Sequence, residues 1–122
     1  MSPTARTLKR LRDLGAVAEI VEHRNQYAGP PNMVCPACKK NRVGRTQDFI
    51  GVIDVICLLG ANCTGIQVTS GSNHAARLTK IKAEPRVRAW LEAGCLLELW
   101  SWAKRNGRWV ARIQEVTVED LL

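Results

Sequence analysis

Residues 48–70 read DFIGVIDVICLLGANCTGIQVTS, and this stretch decides the fold class. Its first half, DFIGVIDVICLL, is almost continuously apolar, as expected of a strand buried on both faces of a sheet. LGANCTG is a turn and IQVTS a second, shorter strand, so the two pair antiparallel. Side chains alternate between faces along an extended chain. Asp54 therefore shares a face with Val52 and Ile56, and Gln67 shares one with Thr69, which brings polar residues of both strands into one neighbourhood. A carboxylate inside GVIDVICLL is expensive to bury alone, and a metal ion or a basic side chain would meet that cost. Asp48 stands six residues before Asp54. Along one continuous strand that is roughly 20 Å, too far to share a metal unless Gly51 breaks the strand.

On the N-terminal side, residues 4–14 have helical spacing through Leu8, Leu11 and Leu14, with Thr4 or Ser2 as cap and Gly15 as stop. AVAEIVEH (16–23) alternates as a strand. Residues 24–45 contain Gly29, Pro30, Pro31 and Pro36 and read as a long excursion without regular structure. On the C-terminal side, residues 72–83 form a helix capped by Ser72 or Asn73, with Leu78 and Ile81 toward the core. Pro85 opens a second helix with Val87, Trp90 and Leu91 as its apolar stripe, and Gly94 ends it. In CLLELWSWAKRNGRWVARIQEV, Asn106-Gly107 fits a type I′ hairpin turn. That register sets Trp102 opposite Ala111 and Trp100 opposite Ile113. The expected architecture is α/β: a mixed central sheet of about four to five strands flanked by helices, with a C-terminal hairpin. It forms one domain over 1–122, with a Cys/Gly/Pro-rich excursion at about 24–45.

Composition narrows the function classes. The chain has 122 residues, 46% of them apolar, enough for one core. No apolar run approaches the roughly 18 to 20 residues of a membrane span, and the N-terminus lacks the apolar stretch of a signal peptide. A cytoplasmic protein is expected. Eighteen Lys and Arg against eleven Asp and Glu leave +7, a balance that attracts polyanions. Five cysteines, an odd number without a secretion signal, argue against a disulfide framework. Cys57 and Cys95 read as small buried hydrophobes. Cys35-Pro36-Ala37-Cys38 has the spacing of half a zinc site, with Cys63 and His23 as the convenient additional ligands. Zinc there would pin a basic finger of Lys39, Lys40, Arg42 and Arg45 against DNA backbone; a reduced, metal-free loop is the simpler alternative.

A strand Asp, then IQVTS about a dozen residues later, then a helix resembles the PD-(D/E)XK nuclease superfamily, whose members are restriction-endonuclease-like or similar to junction resolvases, some of them phage-encoded. The resemblance covers most of the chain. It implies that Asp54 occupies the Asp position of the motif and that Gln67-Val68-Thr69 stands at the (E/D)xK triplet. Asp54, Gln67 and the Val68 carbonyl would then hold Mg²⁺ or Mn²⁺, since Mg²⁺ takes oxygen ligands and keeps several waters. Gln67 departs from the usual acid and Thr69 from the usual lysine. Some members place that lysine on the following helix, which here offers Lys80, with Arg77 as a phosphate clamp. A further acid usually comes from the N-terminal part, where Glu22 is better placed than Asp13. Small nucleases of this kind often act as homodimers, and a phage-encoded one would work in host cytoplasm.

The expectation is a metal-dependent endonuclease that hydrolyses DNA phosphodiester bonds, on branched or structured DNA among others. The alternatives are a catalytically inactive DNA-binding or assembly module of the same fold and, more weakly, a redox or zinc adaptor built on CPAC. His74 reads as a surface or capping residue, and the tryptophans as core and strand-face packing.

Overall fold

The computed structural model describes residues 1–21, 23–25 and 45–122, without the side chains of 23–25 and 45–47. The elements run α1 (Pro3–Asp13), β1 (Val17–Ile20), β2 (His23–Asn25), β3 (Arg45–Gln47), β4 (Val55–Leu59) and β5 (Asn62–Ser70). A 3-10 turn (Gly71–Asn73) then leads into α2 (His74–Ala83), α3 (Arg86–Glu92), β6 (Leu96–Arg105), β7 (Arg108–Val116) and a final 3-10 turn, Val118–Leu121. Five strands form one mixed sheet in the order β1-β4-β5-β6-β7; only β5 and β6 are parallel, and β2 pairs with β3 in a separate ribbon. The protein is thus α/β, a five-stranded open sheet flanked by helices.

α1 forms because Pro3 sits in its first turn and the Ser2 side chain accepts the Ala5 N–H. Its buried residues Leu8 and Leu11 pack on one face of the sheet with Ala18, Val55, Cys57, Ile66, Val68, Trp100 and Trp102. The other face is covered by α2, α3 and residues 49–53, through Val52, Ile53, Ile81, Val87, Leu97, Leu99 and Val116. The C-terminal hairpin has the expected register, Trp102 against Ala111 and Trp100 against Ile113. Asn106 and Gly107 take the positive φ values, 51° and 78°, that a type I′ turn requires.

Three expectations need correction. Residues 48–59 are not one strand: β4 begins only at Val55, because Ile50 and Gly51 turn back at φ 47° and 80°. Phe49 and Ile53 exchange backbone hydrogen bonds of 2.9 and 3.0 Å across that turn. The expected strand at 16–23 also divides, since Val21 follows the end of β1 and donates to the Asp54 carbonyl while His23 belongs to β2. Finally, neither the 3-10 turn nor α2 has a side-chain cap from Ser72 or Asn73. The burial of Cys57 agrees with its reading, whereas Cys95 is only half-buried.

Candidate functional site

Alternation in the sheet puts Asp54, Gln67, Thr69 and Ser101 on the face covered by α2. The opposite face takes Val55, Ile66, Val68, Trp100 and Trp102. Asp54 stands where β4 has not yet begun, so its carboxylate takes the place of a ladder partner. Asp54 Oδ2 accepts the Val68 backbone N–H at 2.9 Å and the Gln67 side-chain amide at 2.7 Å. Both residues are buried, Asp54 at 5% exposure and Gln67 at 2%. The Val68 carbonyl points to the same side as its N–H, as in any strand, and lies 3.5 Å from Gln67 Nε2.

Among the described residues the buried Gln67 Oε1 has no hydrogen-bond partner. Leaving such an acceptor unmet costs about 1–3 kcal/mol. It is the amide nitrogen, not this oxygen, that faces the Asp54 carboxylate and the Val68 carbonyl. With the amide turned about, its oxygen, the carboxylate and the carbonyl are the oxygen donors that a hard divalent cation takes, and in that rotamer the residues fit Mg²⁺ or Mn²⁺. Among the described residues no group of three or more His, Cys, Asp or Glu assembles; the donors here are one carboxylate, one amide and one carbonyl.

The turn at Gly51 changes the place of Asp48. Because Phe49 pairs with Ile53, the chain between Asp48 and Asp54 folds back on itself instead of running straight. A continuous strand would have held them roughly 20 Å apart. Lys80, from α2, reaches this loop: its Nζ lies 3.8 Å from Asp48 Oδ2, with side-chain exposures of 45% and 14%. A half-exposed pair of that kind adds at most about 1 kcal/mol of stability; its importance is the position it gives the ammonium group. Arg77 is half-buried on the same helix. Glu22, Cys35, Cys38, Lys39, Lys40 and Arg42 lie outside the described residues, and so does the Arg45 side chain.

His74 is not a surface residue. It is buried at 5% exposure, with Nδ1 2.7 Å from Ser101 Oγ and Nε2 2.7 Å from Gln114 Oε1. These bonds fasten the start of α2 to β6 and β7. The only sequence signal was the pair of polar residues, Ser101 and Gln114, at inward positions of strands that the hairpin register had already aligned. Replacing His74 with Ala leaves both partners unmet, and a loss of about 1–3 kcal/mol is expected. Urea unfolding with an unchanged slope measures it.

The remaining candidates carry less chemistry. Burial pushes the Cys57 thiol up, with Glu98 adding to the shift. Burial also raises Cys63, helped by neighbouring Cys95. Protonated thiols are poor nucleophiles and poor ligands. Trp102 donates to Thr7 Oγ1 at 2.8 Å and is buried, and the Arg6 guanidinium lies 3.9 Å over the ring of Trp109, which is otherwise exposed. No helix among the described residues is long and apolar enough to cross a membrane. No protein-family model matches the chain, and no curated protein or solved structure matches it significantly.

Proposed function

We propose that the chain is a metal-dependent endonuclease that hydrolyses DNA phosphodiester bonds at the Asp54–Gln67 neighbourhood. The observation that carries this reading is the buried Gln67 Oε1, without a hydrogen-bond partner among the described residues, on the amide whose nitrogen donates to Asp54, with Lys80 reaching Asp48 from α2. With the Gln67 amide turned about, Asp54, Gln67 Oε1 and the Val68 carbonyl would hold Mg²⁺ or Mn²⁺. When bound, the ion supplies Lewis acidity toward a phosphoryl oxygen and lowers the pKa of water. Lys80 supplies the positive charge that Thr69 lacks, placed where charge develops on the phosphate, and Asp48 positions it. The net charge of +7 draws the polyanion to the protein.

A second reading has its own support. The Asp54 carboxylate already accepts from Gln67 and Val68, which is what a metal-free module that binds DNA or assembles with other proteins would need. Purified protein incubated with branched, single-stranded and duplex DNA in Mg²⁺ or Mn²⁺ separates the two. Metal-dependent cleavage is expected, falling at least about tenfold in Lys80→Met. DNA binding without any metal-dependent cleavage supports the module instead.

A further inference from the structure

The strongest unassigned feature is a groove of about 500 Å³ where the turn before α2 meets the C-terminal hairpin, lined by Gly71, Ser72, Ser101, Lys104, Arg105 and Arg112 among others. It lies on the sheet face that carries Gln67, because Ser101 is two positions beyond Leu99, which pairs with Gln67. Gly71 lets the turn pack closely on the hairpin: a Cβ there would sit 3.1 Å from the Ala103 Cβ.

The charge pattern points to an anion. Residues 99–114 hold four cations, Lys104, Arg105, Arg108 and Arg112, and no Asp or Glu. Arg105 and Arg108 stand directly opposite each other in the ladder, and like charges facing across a strand pair are destabilising. Among the described residues none of the four is in an ion pair, whereas other exposed cations such as Lys9 and Arg88 have acidic partners. The acids of the hairpin, Glu98 and Glu115, face each other at its far end, and the end beside the groove, with cations alone, is stabilised by a bound polyanion. The guanidinium groups also have the geometry for bidentate phosphate contacts.

We infer that this groove seats two backbone phosphates of the nucleic acid strand, beyond the Asp54–Gln67 neighbourhood. From the level of Gln67 to that of Ala103 is four residues of parallel strand, roughly 13 Å. The strand therefore runs from the scissile position along the C-terminal ends of β5 and β6 to the hairpin. The identity of the polymer rests on the proposed nuclease reading, but its seating does not require cleavage.

The test is made in Asp54→Asn protein with EDTA, by fluorescence anisotropy of a labelled oligonucleotide across a range of salt. Replacing Arg105 and Arg112 together with Gln lowers affinity by at least about tenfold and shallows the logarithmic salt dependence by about 2, close to one per lost phosphate contact. A control with Lys9 and Arg88 replaced by Gln removes the same charge elsewhere and changes the slope by less than half as much. Equal losses in the two double variants overturn the groove as a site, as does an unchanged slope in Arg105→Gln/Arg112→Gln. Competition with inorganic phosphate distinguishes the sources. Displacement by unlabelled oligonucleotide but not by an equal concentration of phosphate supports a strand; equal displacement assigns the groove to free phosphate and overturns it. Thermal unfolding of both double variants verifies that they are folded. Because binding is read in cleavage-deficient protein without metal, a negative result here leaves the cleavage experiment standing, and the reverse.

Discussion

Asp54→Asn is expected to lower Mg²⁺-dependent DNA cleavage by at least about 100-fold while the protein stays folded. The substitution keeps the size of the side chain and an oxygen that can accept from Val68 N–H, so the local ladder survives. It removes the one negative charge among the candidate donors, Asp54, Gln67 and the Val68 carbonyl. A site with a single charged ligand is sensitive to its loss, because hard cations are held largely by ligand charge. Losing a group that stabilises charge in a transition state costs about 10² to 10³ in rate. Cleavage rates in Mg²⁺ and Mn²⁺, together with calorimetric titration of the metal, measure the effect. Unchanged cleavage in the variant would remove the site from consideration. Loss of cleavage with unchanged metal affinity would assign Asp54 to positioning Gln67 instead.

The largest effect on stability is expected at Ile53. Its side chain is fully buried and lies over Gly65, where a Cβ would come within 2.6 Å of Ile53 Cδ1. Ile53→Ala opens a cavity that Gly65, with no side chain, cannot fill. Truncations of this kind cost about 2–5 kcal/mol, depending on how far the surroundings collapse. Ile53 also anchors the loop that carries Asp48, the partner of Lys80, so the variant should lose cleavage in proportion to loop order. A compensating variant gives a sharper check. Gly65→Ala alone is overpacked against Ile53 and against Trp90, whose Cζ2 would lie 3.0 Å away, yet in the Ile53→Ala background it refills part of the cavity. The double variant is therefore more stable than Ile53→Ala, a coupling that urea midpoints read directly. Simple addition of the two losses would mean that the residues do not pack together.

These two positions mark what local sequence can and cannot convey. The hairpin at Asn106-Gly107 was legible to the residue, since two positive φ angles and an alternating apolar pattern admit few registers. α1 was placed within a residue by its cap and leucine spacing. The strand at 48–59 was not legible. An apolar run has no period that separates a straight buried strand from a strand folded back on itself, and Ile50 takes a positive φ that no β-branched residue advertises. His74 was missed for a related reason. Its partners Ser101 and Gln114 come from positions 27 and 40 residues away, and nothing near His74 in the chain announces them.

For the candidate site, the sequence by itself brought Asp54 and Gln67 into one neighbourhood of two antiparallel strands joined by a short turn, while alternation alone leaves the register, and so the shared face, open. Only the tertiary structure decided how they meet: Asp54 accepts from Gln67 and Val68, and among the described residues Gln67 Oε1 is left unmet. Only the tertiary structure, too, brought Asp48 and Lys80 to the same loop. That pairing depends on a backbone reversal at Gly51 and on a helix packed across the sheet, both held by burial of Ile53, Ile81 and Leu99. Hydrophobic burial is non-directional, so the sequence specifies which residues go inside long before it specifies which polar groups they carry into contact.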